Sequence, residues 1–209
     1  MRKAAIALAL GFLAYKGLQY YVATIEHFAF DISEANFGRL WPNRLWLLLH
    51  ITGGTAALFA GPIQLWSGLR NSHRLIHRWT GRVYVAGVFL GGAAAFYLSF
   101  FSQPRSFGVA LFALGVAWWV SVGTAVHAIT RYQIEAHKAW MIRGYVVTCS
   151  FVTFRILIEM PLWAFAGQSR LAVVLWLSWV APLAVAELLL RSGRSQIPTR
   201  PCAPSQSLP

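Results

Sequence analysis

Six runs of apolar residues, each close to the length that carries a helix across a bilayer, dominate this sequence. They lie at about 4–25, 45–66, 83–101, 107–129, 140–165 and 171–190, and a helix needs roughly 20 apolar residues to cross the hydrocarbon. No water satisfies backbone N–H and C=O groups there, so runs of this kind must be helical. The expected fold is an all-α membrane protein of six transmembrane helices. Composition agrees, because only 11% of the residues are charged against about 25% in soluble domains.

The lysines and arginines set the expected orientation. Arg2, Lys3, Arg70, Arg74, Arg78, Arg82, Arg131, Lys138, Arg143, Arg191, Arg194 and Arg200 fall on one side, and only Arg39, Arg44, Arg105 and Arg170 on the other. Basic residues collect on the cytoplasmic side. The chain is therefore expected in a bacterial cytoplasmic (inner) membrane with both termini in the cytoplasm. The net charge of +12 lies mostly in short connections between apolar runs, where anionic headgroups are the natural partners. Nucleic-acid binding is not expected. Residues 1–191 form the transmembrane domain, and the Ser/Pro-rich tail from 192 to 209 reads as disordered. Arg2-Lys3 ahead of the first run also suits a signal peptide, but no good small-residue cleavage site follows. Cys149 and Cys202 lie in different environments and imply no disulfide.

The second to fifth runs carry a short internal similarity. His77-Arg78-Trp79 with Arg82 and Tyr84-Val85 precedes or opens the third run, and His137-Lys138-Ala139-Trp140 with Arg143 and Tyr145-Val146 opens the fifth. Both enter the membrane from the same side, as a parallel repeat would. This pattern suggests a four-helix core of helices two to five with the two histidine segments facing each other. Juxtamembrane helix starts favour basic and aromatic residues anyway, which is the competing explanation.

Two polar groups are candidates for chemistry. His73, His77, His127 and His137 all fall at the cytoplasmic ends of helices two to five. Imidazoles from facing helices can hold a metal or haem. On that reading His77 and His137 ligate one centre, with His73 and His127 as alternates, and Arg82 and Arg143 face haem propionates or lipid. On the other reading the same residues form an interfacial belt. The second group is deeper. Arg155 and Glu159 are four apart on one helix face, with His50 at a comparable depth and Lys16 of the first helix within reach. Intramembrane charges usually face the bundle interior, so this group reads as a ligand or proton site or as a packing tie. The small residues Thr52-Gly53-Gly54-Thr55-Ala56-Ala57 and Gly91-Gly92 permit close helix contact.

His50-Ile51-Thr52-Gly53-Gly54-Thr55, Gly61-Pro62-Ile63-Gln64, His77-Arg78-Trp79-Thr80-Gly81-Arg82-Val83-Tyr84, His137-Lys138-Ala139-Trp140-Met141-Ile142-Arg143 and Thr153-Phe154-Arg155 together resemble a bacterial membrane family. Its label is a domain of unknown function, the 2306 family, and the resemblance covers about residues 45–191. It implies a multi-helix membrane protein without an established activity. A fainter likeness is to two-haem cytochromes of the b561 and ferric-reductase sort. This chain departs from them in having no second core histidine level with His50.

Three functions compete. One is a membrane redox protein with a haem b on His77 and His137, exchanging electrons with a quinone or a partner subunit. Another is a metal-free ligand-binding or transport-related protein using His50, Arg155, Glu159 and Lys16. The third is a zinc hydrolase around the four cytoplasmic histidines, for which Glu135 is the only carboxylate close by in sequence.

Overall fold

A computed structural model describes residues 38–70, 73–160 and 170–194, together with Tyr15, Gln19 and Gly167. A 3-10 turn, Gly38–Asn43, leads into α1, Arg44–Leu69. Then follow α2 (Arg74–Phe101), α3 (Arg105–Thr130), α4 (Ile134–Thr148), α5 (Ser150–Ile158) and α6 (Arg170–Arg194). The break at Cys149 divides one membrane-length element, Ile134–Ile158, into α4 and α5. Among the described residues five segments are long and apolar enough to cross a membrane. The first expected span, with Lys16, lies outside the described residues apart from Tyr15 and Gln19, as do residues 195–209.

The helix starts at the basic end differ from the sequence expectation. Hydropathy starts the third run at about 83, yet α2 begins at Arg74; it starts the fifth at about 140, yet α4 begins at Ile134. Charged turns such as Arg74–Arg82 lower the hydropathy without breaking the helix, because long basic side chains reach past the hydrocarbon edge. At the other terminus α6 runs on to Arg194.

Small residues set the closest packing. An added Cβ on Gly53 of α1 would come within 2.7 Å of the Gly87 oxygen and of the Gly91 nitrogen of α2. These two helices therefore touch backbone to backbone, as lipid-embedded helices do when dispersion rather than water exclusion drives association. The core seals this bundle with Ala57, Tyr84, Val88, Leu114, Trp118, Val122, Met141 and Tyr145, joined by Leu175 of α6. The helices α1 to α4 thus supply the core, and α6 packs against α3, α4 and α5.

Two polar devices fix α4 in this bundle. Pro62 has no N–H for the carbonyl four residues earlier, and the Tyr145 hydroxyl of α4 donates to that carbonyl, Leu58 O, at 3.4 Å. The Tyr145 ring lies against Gly61, where no side chain would fit. Deeper in, Thr148 donates to Gly144 O at 2.9 Å and accepts from Trp118 Nε1 at 2.8 Å and from the Tyr84 hydroxyl at 2.9 Å. That single hydroxyl ties α2, α3 and α4.

Candidate functional site at the basic end of the bundle

The end of α1 and the starts of α2 and α4 bring His77 and His137 to one cavity. Its larger lobe, about 510 Å³, is lined by Gln64, His77, Ile129, His137 and Met141 among others. A second lobe of about 450 Å³ shares those same five residues and reaches Arg82 and Phe89. Half-buried His77 and His137 therefore face a common space that no carboxylate lines among the described residues.

Each ring is anchored in the same manner. His137 Nδ1 lies 2.9 Å from Ala125 O on α3. A carbonyl can only accept, so the proton sits on Nδ1 and the lone pair on Nε2. His77 Nδ1 lies 3.2 Å from Gln64 O on α1 and 3.1 Å from Ser67 Oγ. Ser67 already donates to Ile63 O at 2.7 Å, so here too Nδ1 is the donor. The His77 Nε2 lone pair accepts from Gln64 Nε2 at 3.3 Å, and Gln64 Oε1 accepts from the Thr80 hydroxyl at 3.0 Å.

The other histidines are elsewhere. His73 takes a left-handed backbone (φ 52) as it caps α2, and its ring stacks on Trp66 at 5.6 Å. His127 is exposed near the end of α3. Neither lines the cavity. Arg82 lies over the Trp79 ring at 5.0 Å and lines the second lobe. Arg143 lies over Trp140 at 4.8 Å, but its guanidinium is turned to α6, where Nε and Nη2 donate to Glu187 Oε2 at 3.0 and 2.5 Å. Glu187 also accepts from Arg191 at 2.8 Å. Arg143 thus lines neither lobe.

Of the deeper group, His50 lies on α1 and Arg155 on α5. His50 turns to α2, with Nδ1 donating to Gly91 O at 2.9 Å, and its ring lies 5.1 Å from that of Phe151. Arg155 on α5 and Glu159 just past its end are exposed among the described residues.

Gln64, Ser67 and Thr80, which hold His77, went unremarked as site residues in the sequence. Their signal was the presence of uncharged polar side chains at the histidine end of two otherwise apolar helices. Of the cavity lining, Arg74 serves in the sequence only as a topology marker, and Arg78 and Lys138 also belong to the internal similarity and the family motifs, none of them as a site residue.

A family model described as a predicted membrane protein family, DUF2306, matches residues 47–190. The chain belongs to this family. The match runs through all five candidate spans, and the chain is a multi-pass membrane protein. No curated protein and no solved structure matches it, so the fainter likeness to b561 and ferric-reductase cytochromes finds no support. Among the described residues no group of three or more His, Cys, Asp or Glu side chains is arranged to hold a metal ion. A zinc centre built on the four histidines of this DUF2306 protein has no such group behind it.

Proposed function

We propose that this protein is a membrane redox carrier that holds one b-type haem between His77 and His137. The observation that carries the reading is the paired anchoring. Each imidazole donates its Nδ1 proton to a backbone carbonyl on the preceding helix and lines one shared cavity. Metal-bound histidines are held by just such a hydrogen bond on the other ring nitrogen, which fixes the tautomer and raises the basicity of Nε2. The donor set also favours haem over zinc. Two imidazoles fall short of the three or four protein ligands that zinc takes, whereas a haem iron needs only axial ligands from the chain. The cavity, with apolar Leu65, Leu69, Ile129 and Met141 around the rings, suits a flat apolar body.

Bound haem would supply a one-electron iron couple. The chain's part is to orient two Nε2 lone pairs, exclude bulk water through the apolar lining, and release His77 from Gln64. The Gln64 amide takes the same lone pair that an iron would use, so loading requires that side chain to swing aside.

The reading includes six spans, both termini in the cytoplasm of a bacterial cell, and electron exchange with a quinone or partner subunit. An internal duplication of hairpins α1–α2 and α3–α4 is part of it. Its support is the matched anchoring of His77 and His137 and the matched cation–π pairs Arg82–Trp79 and Arg143–Trp140. The test is an absorption spectrum of detergent-purified protein, oxidised and then reduced, with elemental analysis. Six-coordinate haem bands are expected. A colourless, iron-free protein that also fails to take up added haem would contradict the reading.

A further inference from the structure

The cavity beside His77 and His137 has two chemically distinct walls. Leu65, Leu69, Ile129 and Met141 make it apolar, while Arg74, Arg78 and Lys138 bring cations to it from the first turns of α2 and α4. Arg74 and Arg78 are one helical turn apart and both exposed, so they share a face. Like charges at that spacing repel. Among the described residues neither arginine is ion-paired, and the first turn of α2 holds no acidic residue. The nearby carboxylate of Glu135 is engaged at 3.0 Å with Lys138 Nζ. The starts of α2 and α4 add the positive ends of their helix dipoles, which favour anions.

We infer that Arg74 and Arg78 form an anion clamp for the two carboxylates of the cavity's occupant. It enters with its apolar edge toward Met141 and its acid groups at the arginines. The inference rests on the haem reading, in which those carboxylates are the propionates. It reassigns the role expected of Arg82 and Arg143. Arg143 is already committed to Glu187, and Arg82 reaches only the smaller lobe while lying over Trp79. Guanidinium groups suit the task because they meet a carboxylate with two parallel N–H donors.

The experiment compares haem b with its dimethyl ester, which has the same macrocycle and iron but no acid groups. Each is titrated into the purified full chain stripped of cofactor, and binding is read from the absorption band. Charge-assisted hydrogen bonds predict that haem binds more tightly than the ester by on the order of tenfold per arginine. The double variant R74Q/R78Q should lose that preference yet bind the ester as the parent does, which also shows that it is folded. R143Q should keep the preference. Equal affinity for both compounds in the parent, or a preference that survives R74Q/R78Q, would overturn the clamp and leave the histidine site standing. If neither compound binds the parent, the haem reading fails and the clamp fails with it.

Discussion

The hairpins α1–α2 and α3–α4 hold their histidines alike and their arginines differently. His77 and His137 each sit in the first turns of a second helix, with Nδ1 on a carbonyl of the first. Trp79 and Trp140 each lie under an arginine three residues on. Beyond that the hairpins part. In the second, Arg143 reaches Glu187 of α6, and His137 lines the cavity. In the first, Arg82 lines the cavity, and Gln64 closes over His77 Nε2. Two similar stretches of sequence therefore hold a pair of rings in like manner, inside a shell that differs between them. What is shared points to a joint task, and what differs follows from which neighbour packs on each hairpin.

The largest effects should test the symmetry. His77→Ala and His137→Ala are each expected to abolish the same haem band, because each would remove one of the two imidazoles proposed to hold the group. His50→Ala should spare the band, since that ring is committed to Gly91 O. A band that survives either of the first two substitutions would break the equivalence of the hairpins. Gln64→Ala should sharpen the asymmetry. It frees His77 Nε2 while leaving the backbone carbonyl that anchors Nδ1, so haem affinity should rise by up to about tenfold, the worth of one hydrogen bond. The equilibrium titration that detects this would contradict the competition between Gln64 and iron if affinity fell or held.

Smaller effects concern the seam between hairpins and the tie to α6. Tyr145→Phe removes the donor to Leu58 O, the carbonyl that Pro62 leaves without its helical partner. A loss of about 1 kcal/mol in unfolding from detergent is expected, with the haem band unchanged in position. Glu187→Gln should lower the thermal midpoint slightly, since Arg143 loses a charged partner while Arg191 is largely solvated. Glu135→Gln, whose carboxylate is mostly exposed, should leave the midpoint where it is.

Much of this was legible because hydropathy is a local property. The spans at 45–66, 107–129 and 171–190 fall within α1, α3 and α6, as runs of twenty apolar residues must when water is absent. The early starts of α2 and α4 were not legible, because Arg74, His77 and Arg78, like Glu135, His137 and Lys138, look like a connection to any window that averages polarity. Cavity-facing helix turns and solvated loops have the same composition there. The meeting of His77 with His137 could be read from the internal similarity. The commitment of Arg143 to Glu187 could not, for it depends on α6 packing against α4 across 44 residues of chain. Likewise only packing reveals that Tyr145 lies against Gly61 and donates to the carbonyl that Pro62 leaves without its helical partner.

The most direct measurement is the reduced-minus-oxidised absorption spectrum of the purified chain, beside His77→Ala, His137→Ala and His50→Ala prepared in parallel. The account predicts six-coordinate haem bands in the parent and in His50→Ala, and their loss in both of the other variants. A parent protein that carries no such bands and acquires none with added haem would contradict it.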